Sequence, residues 1–324
     1  MSRPNPAELD RQVGLEPRTA QSHGIENGPQ ETEGFSLPAS EMNLGPWQEK
    51  PYGQRADGFV ESDGRRIPIT VREPLGWSGE INGTEVEASG WTARGNSMRH
   101  SAIAATAFGN RAITFDYTNT SLAEALESNV ADLVSVITAA AQESSRISGT
   151  GLSMGGSVFV RALGHIGSML ETVNLVAPGQ YVDSSHYSPW GIARHLLTEG
   201  QEFLDVGRSR PLDTFYLGLS GAKNCLRRRL GVIGEIRDLL GHTVHEEHRQ
   251  AKARPNAPYL RIVKMIDDRL IPYPELSEVA DELPFDDRVA ARGHHARWAY
   301  DLALPSQIFR RHANKNDQAE PQAA

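Results

Sequence analysis

The stretch Gly151-Leu152-Ser153-Met154-Gly155 constrains this chain more than any other. A strand-like run, Ser145 to Thr150, precedes it, and Gly156 to Leu163 reads as the start of a helix. A serine held between glycines where a strand turns sharply into a helix is the pattern of a nucleophile elbow. The turn is so tight that a side chain at either glycine would clash with the neighbouring strand or helix. It lifts the Ser153 hydroxyl to the top of a sheet. The helix start behind it offers free backbone N–H groups and a favourable dipole to a developing oxyanion.

The 324 residues fit one large α/β domain with an insertion, or two domains. A formal net charge of −8 argues against a nucleic-acid partner, which calls for a basic surface. The single cysteine, Cys225, leaves no intrachain disulfide and fits a reducing compartment. The first residues carry no apolar run of a secretory signal, and no segment is long and apolar enough to span a membrane, so a cytoplasmic location is expected.

Residues 1–48 are rich in Pro, Gly, Gln, Glu, Asn and Ser without a period, and read as a disordered tail. Regular structure is expected from about Asp57, where two strand-like runs flank the hairpin signal Asp63-Gly64. Strand and helix patterns then alternate, which predicts a mostly parallel sheet with helices on both faces. In the helix read over 121–141, Leu122, Leu126, Val130, Leu133 and Ile137 share one face, with Ser121 and Glu124 as a capping box. The alternation breaks over 183–256, where Leu226, Leu230, Ile233, Leu240 and Val244 recur at helical spacing. It resumes at Tyr259, and a last helix is expected from about Arg297 to His312, followed by a frayed tail over 313–324. The core is thus expected at 49–182 and 257–312, with a helical cap at 183–256. Arg227-Arg228-Arg229 in the cap reads as a solvated helix face. His242, His245 and His248 lack a zinc-binding pattern, and no metal is expected there.

A serine hydroxyl needs a base, and the base needs an orienting acid. The chain offers both downstream of Ser153. Asp267-Asp268-Arg269-Leu270-Ile271-Pro272 follows one strand, and Gly293-His294-His295 follows the next. With the elbow, and with Ser89-Gly90-Trp91 after an earlier strand, these motifs resemble the α/β-hydrolase superfamily over about residues 58–312. The insertion sits where that superfamily places its variable cap. Ser89 stands where many members have His, and the loop Asp116-Tyr117-Thr118-Asn119-Thr120 lacks their Arg-Gly.

The resemblance implies an α/β-hydrolase fold with Ser153 as nucleophile, His294 as base and Asp268 as orienting acid. The backbone N–H groups of Met154 and Trp91 would form the oxyanion hole, with Thr92 as the neighbouring alternative. His295 is the rival base, and Asp183 an alternative acid. Asp267 is expected to cap the next turn. The implied activity is a serine hydrolase, a carboxylesterase acting on a small-molecule acyl substrate without cofactor or metal. Acyl transfer, amide or peptide cleavage by the same residues, and a catalytically silent binding module are the alternatives. No Gly-rich nucleotide-binding motif is present.

Overall fold

The structure, a computed structural model, describes residues 37–318 apart from 75–80, 91–92, 183–210, 229, 242, 269–270, 272, 294 and 296. Ten strands form one sheet: β1 (Ser40–Leu44), β2 (Gln48–Lys50), β3 (Gly53–Ser62), β4 (Arg65–Glu73), β5 (Thr84–Ala88), β6 (Arg111–Phe115), β7 (Ile147–Leu152), β8 (Thr172–Val176), β9 (Tyr259–Met265) and β10 (Asp287–Ala291). Their order is β1-β3-β4-β6-β5-β7-β8-β9-β10, with β2 beside β3. The pairs from β6 to β10 are parallel, and those from β1 to β6 through β4 are antiparallel.

The antiparallel flank begins earlier than its pattern predicts. β1 lies inside the stretch read as a tail and carries no clean alternation. It is held from outside, by a five-residue ladder with β3 and by Gln142, whose amide donates to the Ser40 carbonyl at 2.9 Å. The predicted hairpin is present: Asp63 and Gly64 have φ of 49° and 73°, a two-residue turn that suits strand twist.

The chain runs from β5 outward to β6, then back across β5 to β7. The connection to β6 carries α1 (Arg99–Ala107), and the connection to β7 carries α2 (Ala125–Glu143). Reversal of direction between β5 and β7 opens a crevice at the carboxyl ends of these strands, where open α/β sheets bind ligands. α3 (Met154–Ile166) packs on α2. The last helical segments, Arg297–Tyr300 and Ala303–Gln318, pack on α1 and extend past the expected end at His312.

α2 does not start at Ser121. Glu124 has φ of 52°, and the first helical N–H groups, of Ala125 and Leu126, donate to the carboxylate of Asp238 at 3.1 and 3.3 Å. The N-terminal cap therefore comes from 113 residues downstream, which no local pattern shows.

Asp238 belongs to the insertion, which contains α4 (Pro211–Arg228), α5 (Leu230–Gly241) and α6 (His245–Lys252). The helical period holds, but the faces are reversed from what the apolar residues suggest. Leu226, Leu230 and Ile233 are exposed, and Asn224, Arg228, Gly231 and Glu235 face the core. A Cβ at Gly231 would lie 2.5 Å from the Asn119 carbonyl oxygen, and one at Gly234 2.6 Å from that of Leu122, so glycine lets α5 press against the loop after β6. Arg228 is fully buried rather than solvated. It pairs with buried Glu235, donates to the Asn119 carbonyl at 3.1 Å and lies over the Tyr117 ring. Burial raises the pKa of Glu235, opposed by Arg228 and by Asn129, which donates to it. His248 is also buried, against Tyr181 and Phe285, and burial depresses it to about 4. The neutral ring accepts from Tyr181 Oη at Nδ1, 2.8 Å away.

A polar row crosses the core on the sheet itself. Thr150 on β7 donates to Glu85 on β5 at 2.6 Å and accepts from Asn174 on β8 at 3.1 Å. Arg261 on β9 continues the row, donating to Asn174 and pairing with Asp287 on β10. Among the described residues no helix is long and apolar enough to cross a membrane.

Candidate active site

Ser153 ends β7 and precedes α3 with φ 54° and ψ −117°, a conformation that costs energy for any residue with a side chain. The structure shows why its neighbours are glycines. A Cβ at Gly151 would sit 2.5 Å from the Gly155 carbonyl oxygen, and one at Gly155 2.3 Å from that of Ala88. Gly156 faces Pro178 in the same way, at 2.9 Å. The Ser153 N–H is fixed on the Val176 carbonyl at 2.8 Å. Ser153 remains partly open while its chain neighbours Leu152 and Met154 are buried. Met154 is the first residue of α3, so its N–H has no intrahelical acceptor.

Asp268 and a histidine come together as expected, but the histidine is His295. Its Nδ1 lies 2.8 Å from Asp268 Oδ2, and both side chains are buried. The other Asp268 oxygen accepts from the Ile271 N–H at 2.9 Å. A carboxylate at Nδ1 places the ring proton there and leaves Nε2 with its lone pair. His294, Trp91, Thr92 and Asp183 lie outside the described residues. Asp267, expected to cap the following turn, also reaches the next loop. It accepts from the Gly293 N–H at 2.9 Å and donates its own N–H to the Gly293 carbonyl at 3.1 Å, clamping the acid loop to the histidine loop. Gly293 has φ of 128°, where only glycine is unstrained. The clamp sets the register of the histidine loop against the acid loop, and in that register His295 meets Asp268.

The loop after β5 approaches the serine closely. A Cβ at Gly90 would lie 3.3 Å from Ser153 Cβ. Ser89, where a histidine was expected, is fully buried, and its hydroxyl donates inward to the Ala93 carbonyl at 3.3 Å. Ala93 N–H donates to the Gly90 carbonyl at 3.2 Å, and Tyr117 Oη to the Ser89 carbonyl at 3.4 Å. Burial holds Tyr117 far above the ordinary tyrosine value, so it stays a neutral donor. The far end of the loop is held by Asp116 at the end of β6, which accepts from Gly95 N–H at 2.8 Å and pairs with Arg94 at 2.6 Å. Asp116 carried no signal in the sequence beyond its place after a strand.

A strained serine at a strand-to-helix turn, a buried Asp–His pair and a backbone loop beside the serine all stand at the carboxyl edge of one parallel sheet. The chain has the α/β-hydrolase fold. Solved structures agree. An esterase from Exiguobacterium antarcticum superposes with a TM-score of 0.58 at 13% identity, covering 77% of this chain and 96% of its own. A bromoperoxidase from Bacillus anthracis gives 0.57 at 15%, covering 76% and 95%. A hydrolase from Pseudomonas aeruginosa gives 0.56 at 13%, covering 78% and 97%. No family model matches the sequence, and no curated protein matches it.

Proposed function

We propose that this α/β-hydrolase fold is a serine hydrolase that cleaves a carboxylic ester or a related small acyl compound. Ser153 is the nucleophile, His295 the base in place of His294, and Asp268 the acid that orients it. The observation that carries the reading is the buried Asp268–His295 pair, in which a carboxylate faces Nδ1 as the base of a serine hydrolase requires. The esterase among the structural neighbours supports the same class.

In this reading Ser153 Oγ attacks the acyl carbon as its proton passes to His295 Nε2. The oxyanion is stabilised by the N–H groups of Met154 and, as the resemblance implies, Trp91. Collapse of the intermediate expels the alcohol, which takes the proton from His295. Water then gives a proton to the same nitrogen and attacks the acyl-enzyme, and His295 returns that proton to Ser153 Oγ as the acid leaves. Each step is a proton or acyl transfer that these side chains complete by themselves.

The test is labelling with a fluorophosphonate probe and location of the adduct by mass spectrometry. The expected adduct is on Ser153 and is absent from Ser153→Ala. A folded protein that takes no label would favour a binding module. Competing alcohols added to an ester assay would divert the acyl group if the chain is a transferase.

A further inference from the structure

The cap and the loop beside Ser153 share contacts that packing of a lid does not require. Asn224 on α4, nearly fully buried, donates from Nδ2 to the Ala93 carbonyl at 3.1 Å. That carbonyl is also the acceptor for Ser89, the residue before Gly90. One turn further along α4, Arg227 donates to the Tyr117 carbonyl at 3.1 Å and lies 3.6 Å from Asp116 Oδ2. Asp116 is the carboxylate that fixes Gly95 and Arg94. One helix of the cap thus reaches the middle of the loop twice, directly at Ala93 and through Asp116 at Arg94 and Gly95.

We infer that α4 is a positioning element for the loop from Ser89 to Ser97, so that this loop is held in its place beside Ser153 only when α4 is seated. This rests on the hydrolase reading above. The physical reason is geometric. Ser89 replaces the larger side chain that the superfamily resemblance predicts, and its short hydroxyl donates to the local Ala93 carbonyl. The middle of the loop is anchored from the cap side, by a neutral donor at Ala93 and by a guanidinium on the carboxylate that holds Arg94 and Gly95. A shift of about 1 Å in a catalytic group lowers rate by about a hundredfold, and an oxyanion donor acts only when aimed at the developing charge. Asn224 and Arg227 are positioning residues in this scheme, since neither needs to touch substrate.

The experiment uses the full chain, a p-nitrophenyl butyrate assay and the fluorophosphonate label. Asn224→Ala and Arg227→Met are expected to lower kcat by roughly tenfold each, with KM within about twofold and thermal unfolding little changed. Asp116→Asn keeps the acceptor for Gly95 and loses the charge, and should lower kcat further. Because Arg227 acts in part through Asp116, Arg227→Met should slow Asp116→Asn by less than it slows the wild type. Arg227→Lys, which keeps the charge, should recover part of kcat and serves if Arg227→Met does not fold. Variants that change KM or stability but leave kcat at the wild-type value would overturn the inference, as would full additivity in the double variant. A wild-type chain that neither labels at Ser153 nor turns over ester would overturn the hydrolase reading itself, and this inference with it.

Discussion

On the acid side of the site, Asp267 and Gly293 exchange two hydrogen bonds and Asp268 holds His295, with loops that follow adjacent strands of the core. On the oxyanion side, the loop from Ser89 to Ser97 is tied to β6 through Asp116 and to the cap through Asn224 and Arg227. The first half is local and closes within 27 residues of sequence. The second depends on contacts 110 to 131 residues apart. The comparison teaches that the Asp268–His295 pair is set by the sheet, while the loop beside Ser153 is braced by the insertion as well. The cap is the most variable part of such a fold, so the two halves need not respond alike to mutation.

The sharpest way to break this comparison lies on the acid side. His295→Ala should lower kcat by roughly 10⁴-fold or more, and His294→Ala should stay near wild type, both read by ester turnover. The reverse result would return the base to His294 and dissolve the local clamp as its explanation. The next effect concerns the seat of the cap. Glu235→Ala leaves the buried Arg228 charge uncompensated and should cost about 3–5 kcal/mol in urea unfolding. Replacing the pair together, Arg228→Met/Glu235→Leu, should recover most of that loss, because burying two charges is itself unfavourable.

A third test addresses β5, the strand that carries the oxyanion loop. Burial raises Glu85 from 4.5 to about 8, opposed by its hydrogen bond from Thr150. A folded-state value above the unfolded one means that the folded protein holds the proton more tightly. The associated stability is fully present below about 4.5 and is lost as pH rises towards about 8. Within that window the wild type should lose roughly 1 kcal/mol per pH unit from this group. Glu85→Gln should flatten the slope in thermal unfolding, being close to wild type near pH 5 and more stable near pH 8. Unchanged slopes would remove Glu85 from the account. The smallest expected effect is at the far end of the cap contact. Asp238→Ala removes the cap of α2 and should cost about 1 kcal/mol in urea unfolding.

Much of the fold was legible before any coordinates. The glycines around Ser153, the Asp63-Gly64 hairpin and the strand–helix alternation after it are short-range signals with one physical meaning each. The alternation also placed Asp268 after the right strand. Other readings failed for identifiable reasons. β1 is a strand because β3 pairs with it, not because of its own pattern. The capping box at Ser121 lost to a carboxylate delivered by α5. Arg228 was read as solvated because a run of arginines usually is, yet Glu235, seven residues on, neutralises it inside the molecule.

The sequence by itself determined a parallel sheet with a serine at its carboxyl edge, because tight turns and strand periodicity are written in neighbouring residues. Only the tertiary structure brought His295 onto Asp268, braced the loop at Ser89 and decided which face of α4 is buried. Those outcomes depend on groups tens to more than a hundred residues apart, and burial makes each unpaired polar atom costly enough to select its partner.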